Sequence, residues 1–226
     1  MTNGNVRELP ALDTTTGERG EHGRMGVSSP ALGPALRRWR LLHRVKQAHA
    51  AELFGVAQST ISRWESGRQA MEPKEQAKVE AIVGTRLDAA ADRVLAGLVC
   101  ESPRAVHLIC DLTHRLLACS PQRARQFGVP ESDLIGRSLW RFATPELIAV
   151  EATLAGRGWH DLPAPAPIEF DTGDNRSRIV RIRQSRCRWT RLLLSDGSPA
   201  RLVETLAVVQ PNDAAHRSRP ADRTGS

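Results

Sequence analysis

The stretch AAELFGVAQSTISRWESG, residues 50–67, sets Gln58, Ser59, Ser62 and Arg63 directly after a sharp bend between two short amphipathic turns. A Gln amide offers a donor beside an acceptor, and an Arg guanidinium offers a two-pronged donor. These are the groups that pair bidentately with the edges of adenine and guanine, each good pair worth ~1–3 kcal/mol of discrimination. Other chemistry is poorly served. No GxSxG or similar run sets a nucleophile beside a base, and nothing in the spacing of Asp111, His114 and His160 predicts that they meet. The His residues are scattered without the spacing of a metal site. Cys100, Cys110, Cys119 and Cys187 form no CxxC pair and are expected to be buried as small apolar residues. The pattern argues against an enzyme and favours a hydrogen-bonding reader.

Residues 31–84 must position those groups, and they read as short helices. Leu32, Leu36, Trp39 and Leu42/His43 recur at helical spacing. Ala51, Leu53 and Phe54 lead to Gly55, a residue suited to a left-handed helix end. Ile61 and Trp64 give the next helix an inward face, and Gly67 stops it. Pro73 starts a fourth helix, with Ala77, Ala81 and Ile82 toward the core. A helix, a tight turn and a second helix with a polar outer face make a helix-turn-helix, whose second helix enters the major groove.

Residues 85–100 are predicted as a linker helix. Leu87, Ala91, Val94 and Leu98 form a coiled-coil-like seam, which either pairs with another helix or packs into this chain's core. Residues 101–210 change character. AVHLICD and RLLACS read as a hairpin, and the segment from Pro121 to about residue 158 as mostly helical. APIEFDTG, RSRIVRIRQSRCRWTRLLL and PARLVETLAVV read as strands. In the second of these, Val180 and Ile182 face inward at even positions, whereas Cys187 and Trp189 do so at odd ones. The phase flips near Gln184 and Ser185, where a bulge is expected. The order predicts an antiparallel sheet with helices on one side.

The chain has 226 residues, enough for one domain or two small ones, and Lys plus Arg exceed Asp plus Glu by 32 to 25, a net charge of +7. That excess suits a polyanion partner or an Arg-rich solvated surface. No run approaches the roughly 18 apolar residues of a membrane span, and the amino terminus lacks the apolar core of a secretory signal. A cytoplasmic location without a membrane partner is expected. Residues 1–30 (where Met25 is an alternative start) and 211–226 have few large apolar residues and are expected to be a disordered arm and tail.

Residues 32–67 resemble the Cro/repressor-type (XRE-like) helix-turn-helix family. Leu32, Gly33, Leu36, Arg37, Trp39, Arg40, Val45 and Gln47 carry the resemblance, followed by Ala51, Phe54, Gly55, Val56, Thr60, Ile61, Ser62, Trp64, Glu65 and Gly67. It implies a DNA-reading role for Gln58, Ser59 and Arg63, and phosphate contacts from Gln47, Ser62 and Arg68. It also implies a structural ion pair between Arg40 and Glu65. Arg37, Arg38 and Arg44 are either further contacts or a solvated face. Ala50 stands where the family has Leu, and Ala57 where a Ser or Thr would cap the third helix, a loss of roughly 0.5–2 kcal/mol.

Residues 104–208 resemble a PAS domain more loosely, through Pro121, Gly128, Leu134, Ile135, Gly136, Ser138, Leu139 and Trp140, with Ser120 where the family often carries Asn. This resemblance implies a five-stranded antiparallel sheet with helices over one face. Its use is sensing a small molecule, redox state or light, or dimerisation. No flavin-reactive Cys pattern is present, and His160 in GRGWHDL is a lone histidine, either a haem ligand or an ordinary surface residue; no residue names a cofactor. The expected fold is therefore multidomain, α and α+β: an all-α helix-turn-helix bundle (31–84), a linker helix (85–100) and a PAS-like sheet domain (101–210). The implied function is a sequence-specific regulator of transcription that binds double-stranded DNA. It would be a homodimer, modulated by a small-molecule ligand or carrying a ligand-free interaction module.

Overall fold

Helix α1 (Leu32–Leu42) turns Ala35 and Leu36 inward and crosses α3 (Gln58–Glu65) at Gly33. A Cβ on Gly33 would fall 1.8 Å from the Trp64 carbonyl oxygen, so the lack of a side chain is what lets the two backbones meet. Between them α2 (Gln47–Phe54) ends at Gly55, whose φ of 69° no branched residue accepts cheaply. The peptide N–H of Gly55 donates to Glu52 and that of Val56 to Ala51. Ala57 offers no side-chain cap to α3. Helix α4 (Pro73–Val83) begins with a capping box between Glu72 and Glu75 and Pro73 at its first position. The computed structural model describes residues 32–208; the arm at 1–30 and the tail at 211–226 lie outside the described residues.

The inward face of α4 differs from expectation. Val79 and Val83, one helical turn apart, are buried, whereas Ala77, Ala81 and Ile82 face out. The helix is rotated so that the two valines leave the water rather than Ala77 and Ala81, and Ile82 stays 38% exposed. The core of these helices joins Leu36, Ala50, Phe54, Ile61, Trp64 and Val79, and it continues into the second domain through Cys110 and Leu112. Glu80 of α4 receives the Arg115 guanidinium at 2.6 Å.

The linker is part extended and part helical. Residues 85–89 are not helical, and the Thr85 hydroxyl lies 3.2 Å from both Cys110 Sγ and the Pro199 carbonyl. Helix α5 (Ala90–Cys100) then sends Leu95 and Val99 into a core with Val106 and Leu108. Leu87 joins that core, but Ala91 is exposed and Val94 and Leu98 are each 64% exposed, so three of the four seam residues do not pack within this chain.

Strands β1 (Val106–Cys110), β2 (Leu116–Cys119), β3 (Ile168–Thr172), β4 (Ser185–Leu193) and β5 (Pro199–Val208) form one antiparallel sheet in the order β2-β1-β5-β4-β3. Between β2 and β3 run α6 (Pro121–Ala124), α7 (Pro145–Thr153) and three single turns of 3₁₀ helix at 131–133, 140–142 and 155–157. These cover the sheet face that carries Ile109, Cys187 and Trp189, while α5 lies across the other. Ser120 caps α6, accepting from Arg123 N and Val106 N at 3.1 Å and donating to the Arg104 carbonyl, so the serine does the polar work expected of Asn.

The strand predicted through residues 176–194 begins only at Ser185. Upstream, Asn175 folds the chain locally, donating to the Phe142 and Val180 carbonyls and accepting from Ile182 N. The inward phase therefore changes where the ladder starts, and the bulge sits between Arg186 and Cys187.

Replacing Gly33 by Ala should separate α1 from α3. A loss of at least about 2 kcal/mol is expected from overpacking of this kind, read as a lowered thermal midpoint with α-helical circular dichroism otherwise retained.

Candidate functional site

Helix α3 divides its side chains cleanly. Ile61, Trp64 and Glu65 are buried, while Gln58, Ser59, Ser62 and Arg63 are exposed at helical spacings of three and four that bring them onto one outer stripe. Their side chains carry no hydrogen bond within the described residues, which leaves their donors and acceptors open. The Ser66 hydroxyl closes the helix end on the Ser62 carbonyl at 2.8 Å, Gly67 turns the chain at φ 70°, and Arg68 follows, exposed.

Behind that stripe, Arg40 of α1 grips Glu65 with two hydrogen bonds, Nε to Oε1 at 2.7 Å and Nη2 to Oε2 at 3.0 Å, and a third reaches the Val45 carbonyl. Gln47 donates Nε2 to the same carboxylate at 2.9 Å, so its amide is turned inward on the pair. The Gln47 side chain is thus engaged within the chain rather than turned outward. Burial alone would push the Glu65 carboxyl up, but the hydrogen bonds from Arg40 and Gln47 outweigh it and hold it below its ordinary value.

Arg37, Arg44 and Lys46 are exposed beside this surface. Arg38 is not part of it. It is half-buried, and although burial lowers its pKa, the carboxylates of Glu151 and Asp111 in the second domain attract it.

Those carboxylates belong to a buried network that the sequence reading missed. Asp111 is fully buried after β1 and takes Arg201 Nη2 at 2.6 Å, Arg191 Nε at 3.3 Å and Trp159 Nε1 at 3.2 Å. Glu151 on α7 takes Arg201 Nη1 at 2.7 Å, and His114 Nε2 stands 3.5 Å from it. The Arg201 guanidinium, with no exposed surface, lies 4.3 Å from the Trp189 ring. One signal was available in the sequence. The odd-inward phase of Cys187 and Trp189 carries on to Arg191, which is buried with them.

His160 is no surface residue. Its side chain is 13% exposed, and Nδ1 stands 3.9 Å from Asp111. Burial, and then the charge of Arg38, lower its pKa to about 4. Cys110, Cys119 and Cys187 are buried free thiols, but Cys100 is exposed at the end of α5. No set of three or more His, Cys, Asp or Glu residues capable of holding a metal occurs among the described residues.

A cavity of about 710 Å³ lies between the sheet and the helical segment, lined by His107, Arg123, Phe127, Trp140, Trp189 and Arg201 among others. His160 is outside its lining.

Two outcomes follow from this geometry. Glu65→Ala leaves Arg40 buried without its partner and should cost ~3–5 kcal/mol, measured by urea denaturation. His160 is neutral in the folded chain down to about pH 4 but takes up a proton near pH 6.5 when unfolded. Stability should therefore fall as pH drops through that window, by about 2 kcal/mol between pH 6.5 and 5. In His160→Gln that slope should flatten.

Residues 36–82 match the helix-turn-helix family model HTH_3. No curated protein matches the chain. Similar solved structures include the PAS domain of an HTR-like protein from Haloarcula marismortui, at 18% identity over 52% of this chain and 92% of that one, with a TM-score of 0.39. The PAS domain of BvgS from Bordetella pertussis is 14% identical over 55% of this chain and 91% of that one, TM-score 0.34. An RNA-binding light-oxygen-voltage receptor is 11% identical over 78% and 58%, TM-score 0.37. The matched segment spans α2, the bend at Gly55 and α3 with its bare outer stripe: the amino-terminal part of this chain is a Cro/repressor-type helix-turn-helix domain, a DNA-binding module and not a catalytic one.

Proposed function

We propose that the protein is a cytoplasmic, sequence-specific regulator of transcription, and that its affinity for double-stranded DNA is set by the state of its PAS-like domain. The observation that carries the DNA reading is the division of α3. Ile61 and Trp64 are spent on packing, and Gln58, Ser59, Ser62 and Arg63 stand bare on the opposite side. With α3 in the major groove, Gln58 and Arg63 face base edges while Ser62 and Arg68 hold phosphates.

Modulation is supported by how closely the two domains are joined. The helix-turn-helix core runs into Cys110 and Leu112, Arg38 faces Asp111 and Glu151, and Arg115 pairs with Glu80. The cavity shares Arg201 and His114 with that network. A ligand that moved either residue would change the charge facing α1, and it would shift the population of DNA-competent forms by its differential affinity for the two states.

Operator half-sites are read by dimers. Ala91, Val94 and Leu98, exposed at heptad-like spacing on α5, supply an apolar stripe for a second copy. The same stripe favours the reading in which the PAS-like domain serves dimerisation alone.

Sequencing the fragments that the protein retains from genomic and random DNA tests the reading face. The parent should enrich a discrete motif. A Gln58→Ala/Arg63→Ala double variant should keep its fold and lose at least about 30-fold in affinity for that motif, since two base contacts at ~1–3 kcal/mol each are removed. If the double variant enriches the same motif as the parent, α3 does not read the bases.

A further inference from the structure

The cavity is lined by charge of one sign. Among the described residues its wall holds seven arginines and no Asp or Glu. Five of them, Arg125, Arg176, Arg178, Arg181 and Arg183, are exposed around the mouth. Arg201 is neutralised by Asp111 and Glu151.

Arg123 is different. It is 7% exposed, donates to Gln126 Oε1 and to the Arg181 carbonyl, and lies 5.2 Å from the Phe127 ring centre. Its Nε has no hydrogen-bond partner. No carboxylate pairs with it among the described residues. The acidic groups that act on it are the thiols of Cys187 and Cys119. Burial pushes both thiols up, Cys119 to about 12, so they stay uncharged near neutrality. A buried cation without a counter-anion is costly to keep, and this one lines a cavity large enough for a drug-sized molecule. In the same wall His107, 8% exposed, has Nδ1 unpartnered, and its ring is held neutral by burial and by the Arg123 charge. The remaining wall includes Phe127, Leu139, Val180, Trp189 and Val203.

We propose that this cavity binds an organic carboxylate with an apolar body, the carboxylate seated on Arg123 beside His107 and the body against Phe127, Val180 and Trp189. This rests on the sensory reading of the PAS-like domain and names its ligand class. A single buried cation matches a single negative charge, as on a carboxylate, better than the nearly double charge of a phosphomonoester. The volume and the aromatic wall call for an organic body rather than a bare inorganic anion.

The test titrates the full chain by calorimetry with phenylacetate, naphthalene-2-acetate and octanoate, each against its own primary amide. At least one acid should bind, and bind at least tenfold more tightly than its amide. In Arg123→Gln that preference should fall to within about twofold, while Arg123→Lys should retain it. The unliganded Arg123→Gln protein should melt no lower than the parent, because it lacks the unneutralised charge. The proposal is overturned if the parent binds none of the three acids, if it binds acids and amides alike, or if Arg123→Gln keeps the preference. The acid-against-amide comparison on the parent needs no variant to fold. Because no DNA is present, failure here leaves the DNA-selection result standing, and failure of DNA selection leaves this one standing.

Discussion

The contact between Asp111 and Arg201 is the constraint on which the second domain, and the seat of the first, depend. Both side chains are without exposed surface. Taking two such ions out of water costs several kcal/mol each, and their attraction offsets this only when the remaining lone pairs and protons also find partners. Here they do. Asp111 also receives Trp159 and Arg191, and Arg201 also reaches Glu151 and lies over the Trp189 ring. The network consequently ties the end of β1 to β4, β5, α7 and the turn at Trp159. Truncating Asp111 would leave the Arg191 and Arg201 charges short of a partner, and truncating Arg201 would do the same to Glu151.

That network also governs how the DNA-binding helices sit. A bundle of four short helices buries little apolar surface by itself, and in this chain its core is completed by Cys110 and Leu112 from the sheet domain. Asp111 stands between those two residues, so the backbone that closes the helical core is the same backbone that the ion pair holds. From α1, the charge of Arg38 is attracted by the same carboxylates.

The helix-turn-helix was legible in the sequence because its determinants are local. Gly55 and Gly67 mark backbone turns, Ile61 and Trp64 mark an inner face, and the polar stripe is what remains on the other side of the same helix. The sheet was also legible as a set of short alternating runs. Errors arose where alternation alone had to decide. Residues 178–184 alternate like a strand, but Asn175 offers their backbone local hydrogen bonds, and the ladder starts later. Ala77, Ala81 and Ile82 and the pair Val79 and Val83 both have helical spacing, and only packing against α1 and α2 selects between them.

By itself, then, the sequence determined the secondary structure of residues 32–67, the identity of the outward residues on α3 and the alternating strands of the carboxy-terminal domain. Each of these depends on neighbours within one or two turns of chain. Only the tertiary structure decided that Asp111, Glu151, Arg191 and Arg201 meet, that His160 is buried among them, that Gln47 faces Glu65, and that Arg123 has no counter-charge. These facts rest on pairs separated by 18 to 90 residues. Nothing in local periodicity encodes which distant charge will share a water-free site, because that choice is made when the sheet closes and removes the solvent that would otherwise screen every charge alike.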